Sequence, residues 1–209
     1  MSRVCEPRSP GRPKSEQKRK QILSGAADLL LSNGYSNTSM EAVAKASGVS
    51  KQTVYSHFTS KDALYTAIIE DKCQQYQIQD ASINVSTQAL DEILIIIGLR
   101  FIKLLTDKNV IAMYQLVIGE SKLNNHVAQL FYDAGPLHSI KIVAQLLQQH
   151  PSSALNNDAA METAHDFFNL LKSDFHMLSM LQLPYALNDK NAKQHAEKVA
   201  TKTLALIGV

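Results

Sequence analysis

The segment "SGVSKQTVYSHFTSKDAL", residues 47–64, constrains the fold of this chain more than any other stretch. Gly48 breaks two short helical runs. One starts at a T-x-x-E capping box, Thr38 to Glu41, and reaches about Ser47; the other starts on a Ser50 cap and reaches about His57. Two short helices around a tight glycine turn make a helix-turn-helix. Its packing needs are met by Ala44 where the helices cross and by Val43, Val49 and Val54 along the seam. With those anchors inside, Lys51, Gln52, Thr53, Tyr55 and Ser56 are left outward, with His57 near the end. Phe58 is expected in the core. A helix with so little to bury presents its polar face to something else.

Duplex DNA fits that face. A helix of this size enters the major groove, where amide, hydroxyl and ammonium groups read base edges. Thr38, Ser39 and Lys61 sit at flanking helix N-termini, where amides, hydroxyls and a lysine suit phosphate oxygens. The charge distribution points the same way. Residues 1–61 carry ten Lys or Arg against four acids, a net of +6, while the remainder nets −4. One end of the molecule is therefore built to meet a polyanion. The first 15 residues form an expected flexible basic arm, and Arg8, Arg12 and Lys14 could enter a neighbouring minor groove.

The rest of the chain reads as helix throughout, giving an all-α fold. A first helix from about Gln17 to Asn33, with Ile22, Ala26, Leu29 and Leu30 at helical spacing, closes on Gly34. The three-helix unit is expected over 16–62, followed by a long connecting helix over about 61–80. A larger helical domain over 81–209 holds helices at roughly 87–106, 109–120, 122–134, 136–149, 157–181 and 188–207. Breaks are expected at Gly119, Gly135-Pro136, His150-Pro151 and Leu183-Pro184. Two cysteines give no disulfide framework, and the start lacks the apolar stretch of a signal peptide. The most apolar run, Ile93 to Leu99, is too short to span a membrane. A cytoplasmic protein is expected, with no membrane partner.

The stretch "GAADLLLSNGYSNTSMEAVAKASGVSKQTVYSHFTSKDALYTAII" resembles the N-terminal domain of the TetR/AcrR family of bacterial transcriptional regulators. The resemblance rests on Gly34-Tyr35, Thr38-Ser39, Val43-Ala44 and the segment from Gly48 to Leu64. It implies phosphate contacts from Thr38 or Ser39, Tyr55, His57 and Lys61, and base reading by Lys51, Gln52 and Thr53. Ser56 stands where a tyrosine is common. Residues 113–136 resemble the C-terminal domain of AefR-like members, through Tyr114, Val117, Glu120, Phe131-Tyr132 and Gly135-Pro136. The family implies an effector pocket among the middle helices, with Phe101, Leu105, Met113, Tyr114, Leu116, Val117 and Tyr132 as its expected lining. A small, mostly apolar effector is the expected partner.

One short helix reads too few base pairs for a genome, because a mismatch costs only about 1–3 kcal/mol. A homodimer on a palindromic operator doubles the site. The resemblance implies that the last two long helices form the interface, carrying Phe167, Phe168, Leu170, Leu171, Phe175, Leu178, Val199, Leu204 and Ile207. Catalytic signatures such as GxSxG, HExxH and the phosphate-binding loops are missing. His165 and His176 share a helix face with Glu162, but the spacing is loose for a metal, and neither metal nor cofactor is expected. The reading is a ligand-released repressor. The alternatives are a TetR-like architectural or cell-division factor without an effector, and an enzyme or carrier for which the basic helix has no use.

Overall fold

Every regular element among the described residues is helical, and the chain has the all-α, helix-turn-helix-plus-helical-body fold. The computed structural model describes residues 15–76 and 83–209. The expected arm with Arg8, Arg12 and Lys14, and residues 77–80 of the expected connecting helix, lie outside them.

Four helices open the molecule: α1 (Glu16–Asn33), α2 (Met40–Ala46), α3 (Lys51–His57) and α4 (Lys61–Gln75). Each starts on a serine. The hydroxyls of Ser15, Ser39, Ser50 and Ser60 accept the amides of Lys18, Ala42, Thr53 and Ala63, which would otherwise lack partners. The expected capping box at Thr38 is corrected here: Ser39 is the cap. Thr38 is 3% exposed, and its hydroxyl donates to the Gly34 carbonyl at 2.7 Å. The turn after α1 folds back on itself, and an inward hydroxyl is what satisfies that buried carbonyl. Gly48 turns the chain at φ 63°, where a side chain would be strained. At the α1–α2 crossing, a Cβ on Gly25 would lie 2.7 Å from Ser47 Oγ. That close approach supplements the expected crossing at Ala44.

The body follows as α5 (Leu90–Thr106), α6 (Lys108–Glu120), α7 (Asn125–Tyr132), α8 (His138–Gln149), α9 (Asn157–Met180) and α10 (Asp189–Ile207). Two clusters of buried side chains result. Helices α5, α8, α9 and α10 share one, built on Ile93, Ile97, Leu105, Leu147, Phe167 and Leu171. The other joins α1–α4 through Ile22, Leu30, Val43, Val54, Phe58, Leu64 and Tyr65. Met113, Val117, Val127 and Phe131 from α6 and α7 close it. Each such side chain contributes about 1.5–3 kcal/mol on burial, so the N-terminal helices are held to the body mainly by apolar area.

Two breaks differ from expectation. At Gly135-Pro136 the chain does not leave the helix; a π-helical turn, Asp133–Leu137, carries it from α7 into α8. Proline has no N–H to complete an ordinary turn, and the wider turn accommodates the gap. Ser139 Oγ donates to the Gly135 carbonyl at 3.0 Å. Conversely, α9 is kinked at Ser173 (φ 44°, ψ −168°) where one continuous helix is expected. The bend lays its final turns against α6: Gln115 Nε2 donates to the Met180 carbonyl at 2.7 Å, and the His176 and Tyr114 rings meet edge to face at 5.2 Å.

Candidate nucleic-acid interface and the cavity behind it

Helix α3 has one buried residue, Val54, at 0% exposure, and Phe58 just beyond its end seals the same core. The remaining side chains are left on the surface by that single anchor. Lys51, Gln52, Tyr55 and Ser56 are exposed, and Thr53 and His57 are half-buried. Ser39 lies exposed at the start of α2, and Lys61 half-buried at the start of α4. Thr38 is withdrawn from this surface by its bond to Gly34, so its side chain does not join the others.

Several of these groups are already oriented. The Lys51 ammonium pairs with Glu41 across the α2–α3 turn and lies 5.8 Å from the centre of the Tyr55 ring. The pairing raises the lysine and lowers the Glu41 carboxyl, each through the hydrogen bond between them first. Both are solvent-exposed, so the pair is weak and a DNA phosphate or base competes with it. Thr53 Oγ1 lies 2.8 Å from Ser50 Oγ, and Ser56 Oγ donates to the Thr53 carbonyl at 2.8 Å. Lys61 Nζ donates to the Tyr35 carbonyl at 2.9 Å and sits 4.2 Å from the centre of the Tyr35 ring. An ammonium carries three donors, so two remain for a phosphate.

Behind this surface a cavity of about 410 Å³ lies between the N-terminal helices and the body. Of the expected lining, Phe101, Leu105, Met113 and Tyr114 face it; Leu116, Val117 and Tyr132 do not, and are corrected. Val117 is one helical turn beyond Met113, past the cavity and inside the N-terminal core, against which Leu116 also packs. Tyr132 is 43% exposed on the outer side of α7. The sequence reading missed the walls supplied by α1 and α4: Leu23, Ala27, Leu31, Ile68, Ile69 and Cys73. A signal was available, since Ala67, Ile68 and Ile69 in succession make an apolar stripe wider than one neighbouring helix covers.

The interior is neutral. Burial pushes the Cys73 thiol up to about 11 and the Tyr114 hydroxyl up to about 12, so neither ionises near neutrality. Charged groups gather at the rim: Lys20 and Asp28 from α1, Asp71 and Lys72 from α4. Among the described residues no group of His, Cys, Asp and Glu is arranged to hold a metal, and no helix is long and apolar enough to cross a membrane. His176 packs behind Tyr114 rather than beside His165 or Glu162 as a ligand set.

Comparison with known proteins decides what this arrangement is. Residues 22–68 match the model of bacterial regulatory proteins of the tetR family. Residues 92–206 match that of the AefR-like transcriptional repressor C-terminal domain. The chain belongs to the TetR family of transcriptional regulators. Members of this family are DNA-binding regulators and not enzymes. The flavonoid-responsive regulator FrrA is 30% identical, with a TM-score of 0.71 over 92% of this chain and 97% of that one. A TetR-family structure from Mesorhizobium loti has a TM-score of 0.73 at 24% identity, over 95% of this chain and all of that one (100%), and shares the fold. The fatty acid metabolism regulator protein of Bacillus subtilis is 26% identical over 104 residues. That match spans 49% of this chain and about half, 54%, of the relative's length.

Proposed function

We propose that this TetR-family regulator is a homodimeric repressor of a palindromic operator, released when a small, mostly apolar molecule enters the cavity. The cavity carries the reading. Its walls come both from α1 and α4, which support α3, and from α5 and α6 in the body. A ligand there changes the separation of the two units, and its differential affinity for the two separations is the whole of the switching energy. Some 410 Å³ with an apolar, uncharged interior suits a drug-sized aromatic or acyl compound whose polar end stays at the charged rim. The names of FrrA and the Bacillus regulator point to flavonoids and fatty acid metabolism as the first chemistries to try.

Dimerisation would use the outer faces of α9 and α10. Met177 and Leu206 are 60% and 61% exposed, with Leu181, Leu183 and Val209 also uncovered. Leu170, Leu178, Leu204 and Ile207 are half-covered, whereas Phe167, Phe168, Leu171, Phe175 and Val199 are taken by the chain's own core.

Selection from random DNA tests the first half of the reading, with two inverted half-sites as the expected product. Thermal-shift screening against a flavonoid and fatty-acid panel, followed by release of the selected DNA, tests the second. A compound that raises the melting temperature and lowers DNA affinity is the expected result. Ligands that stabilise without releasing DNA would favour the effector-free alternative.

A further inference from the structure

Lys72 and Tyr76 tie the far end of α4 to Asp107 of the body, and a second set of polar contacts between the N-terminal helices and the body gathers around Tyr35, in the turn between α1 and α2. Its amide donates to Glu120 Oε1, at the end of α6, at 3.0 Å. Its hydroxyl donates to Asp62 on α4, whose other oxygen lies 2.7 Å from His126 Nε2 on α7. The tyrosine is itself buried. Glu120 is seated against bare backbone: a Cβ on Gly34, at φ +80°, would fall 2.1 Å from the same Oε1. Its second oxygen is buried without a partner. Leaving a carboxylate oxygen unpaired is unfavourable, and packing alone would be served better by an apolar side chain. Apolar contact is non-directional, so the Met113, Val117 and Phe131 seam allows the two units to slide. Hydrogen bonds fix angle and distance.

We propose that Glu120 and His126 are positioning residues for DNA recognition: through Tyr35 and Asp62 they set the angle at which α3 is presented, and so the half-site spacing a dimer accepts. The proposal rests on α3 being the DNA-contacting helix of a two-fold pair. Helix-turn-helix dimers match half-sites about one duplex turn apart, so a rotation of either reading unit shifts the spacing it fits. Glu120 and His126 touch no DNA in this account. The cavity shares the walls α1, α4 and α6 with this latch, so a ligand that spreads them strains it.

The test is selection from a library of inverted half-sites with spacers of varied length, run on the full chain and its variants. Wild type is expected to return one dominant spacing. Glu120→Ala and His126→Ala are expected to return the same half-site sequence but to accept neighbouring spacings, a loss of spacing preference of about fivefold or more. Glu120→Gln keeps the oxygen that accepts the Tyr35 amide and should behave as wild type. His126 is exposed, so its variant carries the test even if Glu120→Ala melts early. Unchanged spacing in both alanine variants overturns the proposal, as does a glutamine variant that broadens as far as alanine or a change in half-site sequence. If wild type selects no paired half-sites, the parent reading falls and the latch with it.

Discussion

On the proposed DNA interface, Lys61 and Gln52 would do two different kinds of work. Lys61 is fastened to the Tyr35 carbonyl at the start of α4, and its two remaining donors suit phosphate oxygens. Lys61→Ala is expected to weaken binding to all sequences and to reduce the slope of log affinity against log salt by about one unit, read by titration at several salt concentrations. Gln52, exposed on α3, is expected instead to change which sites are selected, since an amide reads adenine edges in the major groove. His176 has a role in stability. Burial, with Lys172 nearby, lowers it from 6.5 to about 4, so the folded state favours the neutral ring. Between those values the unfolded chain binds a proton that the folded chain refuses, and stability falls as pH drops from about 6.5 to about 4. His176→Phe should flatten that part of a melting-temperature profile. The carboxyls of Asp62 and Asp107 give a further loss at lower pH. Asp62 is held down by Tyr35 and then His126; for Asp107, burial works the other way and is outweighed by bonds from Tyr76, Lys72 and the Asn109 amide.

At the scale of elements, α3 and α9 contrast. Helix α3 is short, and its limits follow from local chemistry: a Ser50 cap, Gly48 before it and Phe58 after it. Those signals are in the sequence, which is why both its ends and its single anchor were legible. Helix α9 carries no proline or glycine at its bend, and Lys172-Ser173-Asp174 would continue any isolated helix. The bend exists because the body needs the last turns on α6. Ser173 consequently occupies a region of backbone space suited to glycine, at a cost of about 1–3 kcal/mol. Ser173→Gly should relieve part of it, raising stability by about 1 kcal/mol and the melting temperature by roughly 2–4 °C. A drop on calorimetry would mean that the kink is not strained.

At the scale of the molecule, the exposed apolar side chains at the ends of α9 and α10 predict association. Leu206→Asp, on a surface the monomer does not bury, should leave helical content unchanged by circular dichroism and shift the protein toward monomer in analytical ultracentrifugation. Operator affinity should fall with it, because each chain then holds only one half-site. The all-α fold, the serine and glycine punctuation and the face that α3 exposes were written in the sequence, because each depends on side chains within a few residues of one another. Tertiary structure alone decided the inward turn of Thr38, the exclusion of Leu116, Val117 and Tyr132 from the cavity, and the closing of the N-terminal core by α6 and α7. Those depend on which distant surfaces meet, and periodicity along one helix says that a stripe is buried without saying against what.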